Sequence, residues 1–186
     1  MLATELHPPP DAPPDDEWVR AAFHELHGRS LHGFALLLTL GDLARAARLA
    51  GTALSEGMAR VDELRHPERA AAWLRARVVR AAGSRRSSHA RVSPVALGGL
   101  GADASVTAGL AALELLERAA FIAALIESLD QRDVAVVVGR DGARLRSLLM
   151  SARRRYLAAY LRVAPEGERG GPLTDRLHEI GRKVVG

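Results

Sequence analysis

The chain has 186 residues, a formal net charge of +4 and no cysteine, so disulfides and thiolate metal sites are excluded and one mid-sized domain or two small ones are expected. Apolar residues make up 48% but aromatics only 4%, and so alanine-rich a composition favours closely packed helices over β-branched strands. No apolar run approaches the roughly 18 residues of a membrane span, and the first 14 residues lack a signal-peptide layout, so the expectation is a cytoplasmic, all-α protein with no membrane partner.

Residues 1–16 form an acidic, proline-rich stretch expected to be a disordered lead-in. Helical periodicity starts at Glu17, with Val19, Ala22, Phe23 and Leu26 on one side. Gly28 interrupts it, and Ser30 suits an N-cap for a continuation through Leu31, Phe34, Leu37 and Leu38. Gly41-Asp42 reads as a stop and restart with Asp42 as N-cap. The helix after it should run to about Glu63, weakened at Gly51 and Gly57 by about 1 kcal/mol each relative to alanine. Pro67 suits a first helical turn. The helix it opens, to about Ala82, sets Leu74, Val78 and Ala81 along an apolar stripe.

A Gly/Ala/Ser-rich stretch at 92–107 reads as a flexible linker about which two helical units would move independently. Periodicity returns from Ala108 to about Ser128. Asp130 suits the cap of a short helix holding Val134 to Val138, a run that a strand would also fit had it a partner. Gly139 to Gly142 breaks the chain before a basic helix from Ala143 to Leu161. Residues 165–186 read as a loop and a short terminal helix. The expected organisation is therefore a helical bundle at 17–91, the linker, and a smaller helical unit at 108–164.

The basic charge gathers in two places. Arg69, Trp73, Arg77 and Arg80 share one face of the Pro67 helix, which runs on into Arg85 and Arg86. Guanidinium groups neutralise phosphates, and an indole stacks on an unpaired base. The same spacing also fits a solvated face with Trp73 turned inward. Arg140, Arg144, Arg146, Arg153, Arg154 and Arg155 make the last long helix a candidate phosphate-binding element. Lys183 is the only lysine among 26 cationic residues, so an arginine bias runs through the whole chain.

Within this pattern, Phe23 to Arg86 resembles the second conserved region of bacterial RNA polymerase sigma factors of the extracytoplasmic-function type. The matching words are FHELH, GFALLLTLGDLARAARLA and MARVDELRHPERAAAWLRARVVRAAGSRR. ALIESLDQRDVAVVV and LRSLLMSARRRYL are similar to the opening helix and the recognition helix of the fourth region. The resemblance implies a protein of transcription initiation that binds promoter DNA and core RNA polymerase. Arg69, Trp73, Arg77, Arg80, Arg85 and Arg86 would lie on melted promoter DNA, and Arg144, Arg146, Arg153, Arg154 and Arg155 on duplex.

Three departures accompany the likeness. Arg48, Gly51 and Thr52 stand where the family carries the acidic and amide residues that hold the polymerase clamp. Arg80 and Ser84 replace an Asn and an Asp, and about one helix is missing between Arg140 and Leu145. The alternative is a diverged sigma-like interaction protein that binds an anti-sigma or other helical partner and does not initiate transcription.

Other chemistry finds little footing. His24, Glu25, His27 and His32 lack the spacing of a two-histidine zinc helix. Gly98-Gly99-Leu100-Gly101 lacks the ending of a phosphate loop, and no nucleophile elbow is present. The arginines before Ser87 and Ser88 offer only a weak phosphorylation motif. Neither an enzyme, a metal site nor a cofactor is expected.

Overall fold

The structure, a computed structural model, describes residues 16–64, 66–84, 92–166 and 173–185. Among them it is all-α, with no strand. In chain order the helices are α1 (Asp16–Leu38), α2 (Leu43–Met58), α3 (Pro67–Ser84), α4 (Pro94–Gly98), α5 (Ala104–Ala111), α6 (Leu115–Phe121), α7 (Gln131–Val138), α8 (Gly142–Val163) and α9 (Leu173–Val185). A π-helical turn, Ile122–Ile126, continues α6.

The second half of α1 is the axis of the molecule. Residues 33–41 are buried without exception, as expected of a helix apolar on every side. It packs against α2, α3 and α9. Gly28 does not interrupt α1, and Ser30 is not a cap: its hydroxyl bonds back to the His27 carbonyl at 3.4 Å within a continuous helix. Leu26, read as inward, is 60% exposed. Packing of the following apolar run overrides a single glycine's propensity cost.

The turn after α1 explains the restart at Asp42. Leu40 and Gly41 both take positive φ, and the Gly41 N–H closes on the Leu36 carbonyl at 2.9 Å. A Cβ at Gly41 would lie 2.5 Å from the Ser93 carbonyl oxygen, so only glycine fits both the left-handed conformation and the close approach. Ser93 in turn donates its N–H to the Leu40 carbonyl at 2.9 Å. Asp42 caps α2 by accepting from the Arg45 N–H at 2.9 Å.

The stretch expected to be a flexible linker is instead packed structure. Residues 94–98 and 104–111 are α4 and α5, and Leu97, Val106 and Leu110 are buried. Asp103 caps α5, accepting from the Val106 N–H at 2.9 Å. Gly109, near the end of α5, is where that helix lies against the Tyr156 ring of α8. The expected helix from Ala108 to Ser128 accordingly divides into the end of α5, α6 and the π turn.

Nor do the two expected units stand apart. α3 packs on α7, and α9 returns to lie on α1 and the π turn. Gly181 of α9 meets the Ile126 carbonyl so closely that a Cβ there would collide with backbone. The valine run 134–138 is helical as read, with Asp130 accepting from the Asp133 N–H at 2.8 Å.

Two arginines, one buried and one half-buried, tie these layers. Arg75, inside α3, grips Glu127 with two hydrogen bonds of 2.8 Å, and the two side chains are 4% and 0% exposed. Its third contact is the Ala71 carbonyl at 3.0 Å, and its guanidinium lies 5.7 Å from the Phe34 ring centre. Burial pushes the Glu127 carboxyl up, against the opposing pull of Arg75. Arg118 donates to the carbonyls of Leu38, Leu110 and Leu113 at 2.7–2.8 Å. It thereby caps the ends of α1 and α5, where helix dipoles favour a cation. Burial lowers its pKa to about 10, which leaves it charged at neutral pH.

Candidate nucleic-acid interface

α2 and α3 lie side by side and leave a groove between them. One end is lined by Arg45, Arg48, Leu49, Thr52, Ala81 and Ser84. The adjoining end shares four of these and adds Ala53, Glu56, Arg77 and Arg80. Helix periodicity makes this arrangement. Positions 45, 48, 49, 52 and 56 recur every three or four residues on α2, and 77, 80, 81 and 84 do so on α3.

Four guanidinium groups thus face one carboxylate. Arg45 donates to the Ala82 carbonyl at 2.9 Å, which ties α2 to the end of α3. Arg77 forms a short ion pair with Glu56. The hydrogen bond from Arg77 holds the Glu56 carboxyl below its ordinary pKa. Arg48 and Arg80 are exposed and make no ion pair with a described residue. Leu49, Ala53 and Ala81 line the groove with apolar surface, and Thr52 and Ser84 add hydroxyls but no charge.

The residues singled out by sequence divide as follows. Arg69 and Arg80 are exposed on α3, as that face requires. Trp73 is half-buried and packed against the core, with the Arg77 guanidinium 5.7 Å from its ring centre. The arginine beside its indole is already held by Glu56. Ala81, expected on the inward stripe with Leu74 and Val78, lines the groove instead. Arg85 and Arg86 lie outside the described residues.

Arg48, Gly51 and Thr52 are exposed on α2. Arg48 and Thr52 line the same groove as Arg77 and Arg80, so the positions matched to the polymerase clamp and those matched to promoter DNA share one surface. A side chain added at Gly51 would meet nothing within 4 Å.

On α8, Arg144, Arg146, Arg153 and Arg154 are exposed. Arg155 is exposed as well but, unlike them, is ion-paired. It is drawn to Glu117 at 3.3 Å and Glu114 at 3.8 Å, and Glu117 is held in turn by the Ser151 hydroxyl at 2.6 Å. Arg140, at the start of the basic run, bonds the Gly139 carbonyl.

Sequence reasoning passed over Arg45 and Glu56 in this groove. Both stand at helical spacing from Arg48 and Thr52, so a face-by-face reading of α2 would have found them. Arg75, between Trp73 and Arg77 on α3, is held in the interior by Glu127. His27, one of the four residues weighed as metal ligands, is buried edge-on to Phe23, with ring centres 4.7 Å apart. Burial, and then the charge of Arg75, hold its pKa below the ordinary histidine value. No group of three or more metal-binding side chains occurs among the described residues. No helix among them is long and apolar enough to cross a membrane.

Comparison of the chain with protein-family models, with curated proteins and with solved structures finds no match.

Proposed function

We propose that this protein is a sigma-factor-like transcription protein that binds nucleic acid through the α2–α3 groove. One observation carries the reading: Arg45, Arg48, Arg77 and Arg80 line a single groove that holds one carboxylate, Glu56. Such a groove suits a phosphodiester backbone, whose charges exchange counterions for guanidinium groups. Trp73, beside Arg77, offers a partly exposed ring at the groove's flank for contact with an unpaired base. The sequence resemblance supplies the biological context, promoter recognition beside core polymerase.

The test is fluorescence anisotropy with labelled single-stranded, forked and duplex DNA at two salt concentrations. Binding should weaken with salt, and Arg48→Glu with Arg80→Glu should weaken it further on every substrate. Trp73→Ala should cost more on forked DNA than on duplex, by about 1–3 kcal/mol for a lost stack. DNA binding that is absent, or indifferent to both salt and the two arginines, overturns the reading.

The second reading, a sigma-like interaction protein that does not initiate transcription, is favoured by Arg48. An arginine at a clamp contact repels where the family's acid attracts. Restoring the pattern with Arg48→Asp, Gly51→Gln and Thr52→Glu should raise affinity for core polymerase in a pull-down. Gly51→Ala alone controls for helix stabilisation. Tight polymerase binding by the unaltered chain would remove this second reading.

A further inference from the structure

The outer side of α8 is not uniformly polar. Opposite its buried Leu145, Ala152, Tyr156 and Ala159, the helix presents Arg146, Met150, Arg153, Leu157 and Leu161. Spacings of four, three, four and four set these five in one stripe. Met150 is 72% exposed, Leu157 44% and Leu161 36%. Beside the stripe, between α8, α9 and the π turn, lies a cavity of about 420 Å³. Its walls include Phe121, Leu125, Leu157, Leu173 and Leu177, its rim includes Arg153, and no carboxylate lines it among the described residues.

Length, charge and symmetry together decide what fits. From Met150 to Leu161 the apolar stripe runs about 17 Å at 1.5 Å per residue. That is three helical turns, too long for a compact small molecule and well matched to a docked helix. Arg146, Arg153 and Arg154 flank the stripe and make no ion pair with a described residue, so the complementary occupant is acidic. A second copy presenting this same face would set arginine against arginine, which disfavours a symmetric dimer here. A phosphate backbone, for its part, has no use for Met150, Leu157 and Leu161.

We infer that the α8–α9 groove receives an acidic amphipathic helix of a protein partner. The partner's apolar residues, at i, i+3, i+4 and i+7, enter between Leu125, Leu157 and Leu177. Its carboxylates lie over Arg146, Arg153 and Arg154. This surface is separate from the α2–α3 groove and does not rest on the nucleic-acid reading.

The experiment titrates the full chain into a labelled synthetic helix of about 15 residues, leucine along one face and glutamate on its flanks. One control peptide has the same composition scrambled, and a second has every glutamate replaced by lysine. The acidic amphipathic peptide should bind at least about tenfold tighter than either control. Met150→Glu with Leu157→Glu should weaken it by at least about tenfold, with the thermal melt unchanged because both side chains are exposed.

Equal binding of the scrambled peptide, no binding of any peptide, or indifference to the double substitution overturns the inference. So does a dimer of the unaltered chain that the double substitution abolishes, which would make a second copy the occupant. DNA titrations of the same double variant separate the two surfaces. Loss of DNA binding there would put nucleic acid on α8 and overturn this inference, whereas absence of DNA binding in the unaltered chain overturns only the α2–α3 reading.

Discussion

Arg75 and Arg77 stand two residues apart on α3 and belong to different parts of the molecule. Arg75 is sealed between α3 and the end of the π turn, its side chain 4% exposed and bonded twice to Glu127. Arg77 lies at the groove with 33% of its side chain exposed, paired to Glu56 of the neighbouring helix. Two positions on a helix are about 200° apart, so one must point in when the other points out. The difference teaches what each arginine is for. A buried guanidinium costs several kcal/mol to desolvate and is tolerable only with a matched carboxylate. A surface guanidinium costs little and adds little to stability, which leaves it available for a ligand.

The sharpest way to break this contrast is to orphan the buried charge. Glu127→Ala should destabilise the fold by about 3–5 kcal/mol in urea unfolding, because Arg75 is then left unpaired in the core. Arg75→Met with Glu127→Leu should recover most of that loss, since an apolar pair needs no desolvation. A single substitution that costs less than about 1 kcal/mol would mean that the pair contributes little to joining the chain's two halves.

Arg118 comes next. Arg118→Leu removes the charged donor from three carbonyls at the ends of α1 and α5, and should cost about 2–3 kcal/mol. Arg118→Lys should recover only part, because an ammonium lacks the planar fork that spans all three.

His27 offers a smaller and pH-dependent test. Its folded pKa is lowered, by burial and then by Arg75, so the unfolded chain takes up the proton more readily. Stability linked to neutral His27 is therefore complete above the unfolded value of about 6.5 and is lost as pH falls through the lowered folded value. The melting temperature should drop on going from neutral pH to mildly acidic pH. His27→Gln should flatten that slope relative to the unaltered chain.

The smallest stability effect belongs to the groove. Arg48→Ala and Arg80→Ala should each change unfolding free energy by less than about 0.5 kcal/mol. Each should nonetheless reduce the salt slope of DNA binding by about one. A large stability loss at either position would erase the distinction between structural and ligand-facing arginines.

Much of the helical layout was legible in the residues. Asp42 and Asp130 announce caps, Pro67 announces the start of α3, and the apolar spacing marks α8. These are local signals, and local geometry satisfies them. Leu31, Phe34, Leu37 and Leu38 likewise mark the second half of α1 as helix, although its burial on every side emerges only from the fold. The spacing of Arg69, Arg77 and Arg80 was enough to place them together on one face of α3.

Tertiary structure alone decided the rest. Glycine and alanine from 92 to 107 read as a linker because they carry few apolar side chains of their own. Leu97 and Val106 in the same stretch are nonetheless buried, on helices that pack against α1 and α8, and that burial appears only when those partners are in place. Arg75 resembled every other arginine of α3 until Glu127, 52 residues further along, reached it. Arg48 and Thr52 join Arg77 and Arg80 only because α2 and α3 pack side by side. Composition and periodicity register a residue's own chemistry and its neighbours within a helical turn. Which arginine is sealed inside and which is left to meet a ligand depends on contacts from distant parts of the chain, and only the fold brings those together.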